Sequence, residues 1–394
     1  MPTQVRGFRF AGVAAGIKKK GGLDIGMIAA DELVATAAVF TSNRVKAAPV
    51  RLSAGRLRLN RGRMRGVIVN AGNANACTGP AGELDAARMS ELAAGPLGAW
   101  PEHMLVASTG VIGQPLPMAK VESGIAAAAR ALSADGWDDF ATAILTTDRR
   151  PKIATATVKV GGKLVTLLGC TKGAGMIAPN MATTLTFVVT DAEMVPGALQ
   201  RATLAAVRPT FNAIAVDGDT STNDTLAVLA SGTSTANLTG TGAAKLTAAL
   251  TDLLADLAQQ LMADGEGVHH VVTIAVKRAA SVRAAESIAR RIATSPLVKT
   301  AIAGGDPNWG RVLCAIGNGG VPIDASKIGL AIGDVEVVRK GAVTPGYDER
   351  KAAAVMKAPS YTITVDLGAG AAEARFLACD LSHDYVSINA DYRS

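Results

Sequence analysis

The reactive residues of this chain favour hydroxyl chemistry over imidazole chemistry. Only four histidines occur in 394 residues: His103, His269, His270 and His383. A Ser-His-Asp or Cys-His enzyme needs one of them beside its nucleophile, and there is no G-x-S-x-G elbow to present a serine. A hydroxyl can instead be activated by an α-amino group, when self-cleavage turns a Thr, Ser or Cys into a new amino terminus. The segment Lys172-Gly-Ala-Gly-Met-Ile-Ala-Pro-Asn-Met-Ala-Thr-Thr-Leu185 fits that demand. Gly173 and Gly175 permit unusual backbone angles and close approach. Pro179 stops a helix from running through the segment. The small Ala182 leaves the next hydroxyl accessible, so scission before Thr183 would set a free amine and a hydroxyl at the start of the apolar run Thr184–Thr190. A Gly-Pro loop feeding a buried strand accounts for the same residues.

Two other motifs carry rival chemistry. Gly173-x-Gly175-x-x-Ala178 follows an apolar run and matches a dinucleotide fingerprint, with Asp191 downstream. Pro179-Asn180 stands where the pyrophosphate-binding helix should continue, which argues against it. Asp217-x-Asp219-x-Ser221-x-Asn223 opens like a calcium loop, but Thr222 replaces the turn glycine and Val228 the closing glutamate. A polar turn that ends a strand and enters a helix at Asn223-Asp224 is the better expectation.

The elements that must position these residues are aliphatic. Hydrophobic residues make up 49% of the chain and charged residues 19%, which excludes a disordered polymer; aromatics at 4% disfavour base-stacking platforms. The net charge of +7 is spread along the chain apart from Lys18-Lys19-Lys20 and Arg56–Arg65, which read as solvated basic faces. No nucleic-acid motif accompanies them. Cys77, Cys170, Cys314 and Cys379 are too scattered for a zinc site or a disulfide framework. The amino terminus lacks a signal-peptide pattern and no apolar stretch suits a bilayer span, so the expected location is the cytoplasm, with no membrane partner. Strands are expected at 33–41, 66–70, 104–108, 153–159, 163–168, 184–190, 271–277, 361–367 and 374–379, with Gly161-Gly162 as a hairpin turn. Helices are expected at 82–94, 119–132, 138–145, 196–207, 243–263, 280–293 and 348–356. Adjacent strand pairs between helices point to an α+β fold of layered sheets flanked by helices.

Motifs in order along the whole chain then converge on one family. They are Gly12-Val-Ala-Ala-Gly-Ile-Lys18, Val69-Asn-Ala-Gly-Asn-Ala-Asn-Ala-Cys-Thr-Gly79, Ser108-Thr-Gly-Val-Ile-Gly113 and Thr146-Thr-Asp148. The Lys172–Leu185 segment follows, then Val216-Asp-Gly-Asp-Thr-Ser-Thr-Asn-Asp224, Asp264-Gly-Glu-Gly267, Asp306-Pro-Asn-Trp-Gly-Arg311 and Ser387-Ile-Asn-Ala-Asp-Tyr-Arg-Ser394. In these segments the chain resembles the ornithine acetyltransferase family of arginine biosynthesis, the bifunctional glutamate and amino-acid N-acetyltransferases.

The resemblance implies an aminopeptidase-related, self-processing fold. It implies a precursor cut between Ala182 and Thr183 into an alpha chain, 1–182, and a beta chain, 183–394, that stay together, commonly as two copies of each. Thr183 would be the nucleophile that takes acetyl from N-acetylornithine and passes it to glutamate, a covalent double displacement. No cofactor is implied, although some members also accept acetyl-coenzyme A as a co-substrate. Thr109 and Gly110 match the family's oxyanion pair, one through its hydroxyl and one through its amide. Lys172 matches a cationic substrate anchor, and Thr146, with Thr147 its less favoured neighbour, a hydroxyl contact. Glu266, Asn389 and the terminal Ser394 match substrate positions, with Glu266 suited either to pairing with an amino group or to proton transfer. Asp306–Arg311 reads as structural support. An aminopeptidase or amidohydrolase of the same fold, in which water resolves the acyl-threonine, is the alternative. Departures from the family pattern are Val268-His269-His270 after Asp264–Gly267, Ser394 in place of a commoner Thr, and apolar residues at 213 and 215.

Overall fold

The β-branched runs form two separate sheets in the computed structural model, which describes residues 4–177, 184–236 and 238–391. Each sheet belongs to its own unit. The first unit comprises Met1–Gly173, Asn180–Phe211 and Thr220–Leu261, and the second Ala174–Pro179, Asn212–Asp219 and Met262–Ser394.

In the first unit the order is β1 (Phe8–Val13), β2 (Ile25–Phe40), α1 (Ala48–Leu59), β3 (Arg63–Asn73), α2 (Gly79–Ala94), β4 (Met104–Val111), α3 (Met118–Ala131) and α4 (Trp137–Ala143). Then come β5 (Lys152–Val160), β6 (Lys163–Lys172), β7 (Leu185–Thr190), α5 (Pro196–Val207), β8 (Thr225–Ala230) and α6 (Thr241–Ala263). The sheet runs β4-β3-β2-β8-β7-β6-β5, with β1 paired to β2. Two strands from beyond residue 183, β7 and β8, therefore lie between two strands from before it, β2 and β6. The β5–β6 turn is Gly161-Gly162, both glycines at positive φ (57° and 82°), as a two-residue hairpin requires.

Period-2 alternation gives this sheet two apolar faces. Val67, Val69, Leu105, Phe187 and Val189 pack with Trp137 and Phe140 of α4. Ile68, Met104 and Val106 face the other way, toward Met89 of α2 and Ile125 of α3. The scarce aromatics gather in one row, with centroid spacings of 4.8 Å for Phe10–Trp137, 5.7 Å for Trp137–Phe140 and 5.5 Å for Phe140–Phe187. Each such ring contributes about 2–3 kcal/mol by burial, enough to anchor a seven-residue helix.

Two expectations are corrected here. The polar run ending at Asn223-Asp224 enters a strand, β8, and not a helix. Thr225–Ala230 is buried throughout, and a short, continuously apolar run carries no period that separates strand from helix. The basic clusters are only partly solvated. Lys19 and Lys20 are exposed, but Lys18 Nζ donates to the carbonyls of Leu23 and, at 3.3 Å, Ala143, while Arg65 donates to Ala30 O.

The second unit carries β9 (Val271–Ala279), α7 (Val282–Ala293), α8 (Pro296–Ala303), α9 (Trp309–Gly317), β10 (Gly329–Ile332), β11 (Val335–Arg339) and β12 (Ala342–Val343). It closes with α10 (Glu349–Met356), β13 (Ser360–Asp366), β14 (Ala372–Cys379) and α11 (His383–Ala390). Its sheet runs β12-β11-β10-β13-β9-β14. Helix α7, capped by Ser281 on the Ala284 amide, lays Ala285, Ile288, Ala289 and Ile292 in a stripe packed with Ile274, Val276 and Phe376. The architecture is α+β, with sheets flanked by helices. Among the described residues no helix is long and apolar enough to cross a membrane.

Candidate active site

Each unit assembles its own constellation. In the first, Thr109 and Gly110 end strand β4, where it runs parallel to β3. Gly110 has φ +134°, and a Cβ there would lie 2.3 Å from Gly72 C and 2.5 Å from Asn73 N, so only glycine lets the backbones approach this closely. Buried amides hold the crossing. Asn223 Nδ2 donates to Ala74 O (2.6 Å) and Ser108 O (2.8 Å), Ser108 Oγ to Asn70 Oδ1 (2.6 Å), and Asn70 Nδ2 to Asn73 O (2.9 Å). The Asn-rich motif at 69–79 thus shapes the strand end that carries Thr109.

Lys172, the last residue of β6, is buried and donates from Nζ to Thr109 Oγ1 at 3.1 Å. The hydroxyl accepts from the ammonium, which leaves its own hydrogen free to donate elsewhere. Asp148 organises the same neighbourhood. Its Oδ1 accepts from Lys152 Nζ (2.6 Å) and Gly173 N (2.7 Å), and its Oδ2 from Thr146 N (3.0 Å). The Asp148 and Lys152 side chains are fully buried. Burial opposes ionisation of Asp148, but the charges of Lys172 and Lys152 and the bonds from Lys152 and Thr146 outweigh it and hold the carboxyl at about 2. One carboxylate therefore ties the half-buried Thr146 to the chain beside Lys172; Thr147 is exposed.

In the second unit, Glu266 follows α6 and its amide donates to Ala174 O at 2.8 Å. Its Oε2 accepts from Asn389 Nδ2 at 3.1 Å. Helix α11 brings Asn389 there, its first turn fixed by Ser382 Oγ on Gly267 O (2.7 Å). Gly175 is required under Glu266, since a Cβ would sit 2.3 Å from Oε2. Asp217 accepts from the amides of Met176 (2.6 Å), Ile177 (2.8 Å) and Asp219 (3.1 Å) and from the Tyr385 hydroxyl (3.3 Å). Burial pushes its carboxyl up against those amide bonds. This carboxylate is occupied by its own chain, and among the described residues no cluster of His, Cys, Asp or Glu is placed to hold a metal. Residues 173–177 contain no helical turn, contrary to the dinucleotide pattern. His269 bridges Asp380 (3.4 Å) and Asp384 (3.1 Å), placing that departure in the support of α11. Asn308 caps α9 and Arg311 holds Leu297 O at 2.9 Å, in keeping with a supporting role for that motif.

Thr109, Gly110, Thr146 and Lys172 are thus gathered in the first unit, and Glu266 and Asn389 in the second. Ala182, Thr183 and Ser394 lie outside the described residues. Asp148 and Lys152 were not singled out from sequence as site residues, and Asp217 and Asn223 were weighed only as the opening of a calcium loop. Asp148, Asp217 and Asn223 bond to groups distant along the chain, which spacing does not show.

The ArgJ family model matches residues 9–394. The Arginine biosynthesis bifunctional protein ArgJ of Symbiobacterium thermophilum is 47% identical over 397 residues, spanning 100% of this chain and 98% of that protein. The protein of that name from Geobacter sulfurreducens is 45% identical over 393 residues, spanning 99% and 100%. The crystal structure of Arginine biosynthesis bifunctional protein argJ from Bacillus halodurans superposes with a TM-score of 0.51 at 41% identity, covering 52% of this chain and 98% of that one.

Proposed function

Because the chain belongs to the ArgJ family, we propose that it moves the acetyl group of N-acetylornithine to glutamate through an acetyl-threonine on Thr183. Family membership makes it an acetyltransferase of arginine biosynthesis; the steps are our reading. The chain cuts itself between Ala182 and Thr183 into 1–182 and 183–394, which remain associated, as two copies of each. The freed α-amine takes the proton of Thr183 Oγ as it attacks the acetyl carbonyl, then returns it to departing ornithine. Glutamate reverses the sequence and leaves as acetylglutamate. No cofactor enters, and acetyl-coenzyme A serves as a second donor to the same hydroxyl, a reading supported by the word bifunctional in the relatives' names.

The observation that carries this reading is the 3.1 Å bond from Lys172 to Thr109. It frees the Thr109 hydrogen for an oxyanion at the end of β4, where the Gly110 amide is the second donor, and such donors are worth about 3–4 kcal/mol each. In this reading Lys172 anchors a substrate carboxylate, and Thr146, Glu266, Asn389 and Ser394 keep the substrate-binding roles that the family resemblance implies, Glu266 either as partner of an amino group or in proton transfer. Incubation with N-acetylornithine, with and without glutamate, tests the transfer: acetylglutamate supports it, and acetate alone in both arms points to a hydrolase. Intact mass with amino-terminal sequencing tests the processing. A terminus at Thr183, abolished in Thr183→Ala, is expected, and one uncut mass in active protein would contradict it.

A further inference from the structure

Helix α11 carries Asn389 to Glu266, yet none of its eight residues is buried. A helix of that length falls below the roughly 12–15 residues that sustain one in water, so contacts with the unit must hold it, and these are polar. Ser382 Oγ donates to Gly267 O (2.7 Å) and accepts from Tyr385 N (3.3 Å). The Tyr385 hydroxyl reaches Asp217 (3.3 Å), and Asn389 itself meets Glu266 (3.1 Å).

His269 makes a further contact of a different kind. Its ring stands between the end of β14 and the first turn of α11, with Nδ1 3.4 Å from Asp380 Oδ2 and Nε2 3.1 Å from Asp384 Oδ2. Asp380 is fixed in place, since its Oδ1 accepts the amides of His269 (2.9 Å) and His270 (3.0 Å). Its Oδ2 is buried and makes no hydrogen bond of good geometry, so the pair with Nδ1 rests on charge. Ionised carboxylates only accept. Both ring nitrogens suit them only when both carry hydrogen, as in imidazolium; a neutral ring turns one lone pair on a carboxylate.

The other titratable groups around this joint are turned elsewhere. His270 Nδ1 bonds Ala358 O (2.8 Å), and Lys299 Nζ, from α8, lies 3.2 Å from Cys379 Sγ. Tyr361 faces Asp380 from β13, its phenol pushed up by burial and by that charge. His383 is exposed at the start of α11.

We infer that His269 is a positioning residue: as imidazolium it ties Asp384 to Asp380 and so holds α11, and with it Asn389, against Glu266. Loss of the second ring proton to solvent opens this clamp, a change that histidine undergoes between about pH 5 and about pH 8. The effect on catalysis rests on the reading in which Glu266 and Asn389 contact substrate. On that reading affinity for N-acetylornithine falls as the clamp opens, and the chemical step is untouched.

Hydrogen exchange over residues 383–391 of the purified enzyme, compared between wild type and His269→Gln at equal pH, measures the clamp without substrate. The ring is 55% exposed and Asp384 65%, so the effect should be modest. At about pH 6 the wild type should exchange about three- to fivefold more slowly, and at about pH 8.5 the two should coincide. His269→Arg, a permanent cation, should keep the slow exchange at both. KM for N-acetylornithine should follow the same pattern, about three- to fivefold lower in wild type than in His269→Gln at about pH 6 only, with kcat within about twofold. Equal exchange in wild type and His269→Gln at about pH 6 would overturn the proposal, whatever becomes of the substrate assignments. Exchange that differs while KM does not would support the clamp and instead remove Asn389 from the substrate contacts.

Discussion

Replacing Asp148 by Asn should destabilise the first unit severely, and a second change should undo most of the damage. Asp148 and Lys152 are joined at 2.6 Å with both side chains fully buried. Removing the carboxylate leaves the Lys152 ammonium buried without its counter-charge, a loss of about 3–5 kcal/mol. Asp148→Asn with Lys152→Met replaces the pair by neutral groups and should lie within about 1 kcal/mol of wild type, giving a coupling energy of at least about 2 kcal/mol, larger by whatever Lys152→Met costs alone. A pH limb accompanies this. The carboxyl sits at about 2 in the folded chain against 3.8 without perturbation, so the folded state favours the ionised form. Its contribution, about 2 kcal/mol at 1.36 kcal/mol per unit, is complete above about pH 4 and lost as the pH falls through about 2. Urea unfolding followed by fluorescence of the buried Trp137 measures both effects. An Asp148→Asn cost below about 1 kcal/mol, or strict additivity with Lys152→Met, would refute the argument.

Three further outcomes are expected. Gly110→Ala should lower kcat by about 10²-fold or more without abolishing the fold, because a Cβ 2.3 Å from Gly72 C must push the β4 end off the oxyanion position proposed for it; steady-state kinetics on the purified enzyme decide it. Gly175→Ala should displace Glu266 and lower kcat/KM for N-acetylornithine by about 10²-fold, with unfolding by urea nearly unchanged. Lys172→Met should lower kcat/KM by about 10²-fold or more through both the lost anchor and the unsupported Thr109 hydroxyl, and a drop under about threefold would remove Lys172 from the site.

Local pattern made some of this legible. Strand β13 alternates buried and half-buried residues over its length and was anticipated within one residue, as was the Gly161-Gly162 turn. Helix α7, with its 3-1-3 spacing of buried residues, was equally plain. Strand β8 was not, since Leu and Ala serve helices as well as strands and its neighbours β2 and β7 decide the matter. Strands β10, β11 and β12 are too short to show a period. Among the candidate site residues, Lys172, Thr109 and Glu266 follow from motif resemblance and not from periodicity. Asp148 escaped assignment because its meaning depends on Gly173, 25 residues away, and Asn223 because it supports carbonyls 149 and 115 residues distant.

The placement of β7 and β8 between β2 and β6 bears on how the two halves of the chain can ever exist apart. Made from separate genes, 1–182 would display two unpaired inner edges on β2 and β6, and 183–394 would offer a two-stranded parallel ribbon with both of its outer edges unpaired. Such halves are candidates for clumping and not for docking. A covalent link through synthesis is the simplest way to thread the ribbon into its slot, so under the proposed self-cleavage the peptide bond at 182–183 would be a scaffold needed while the sheet forms and dispensable once it has closed.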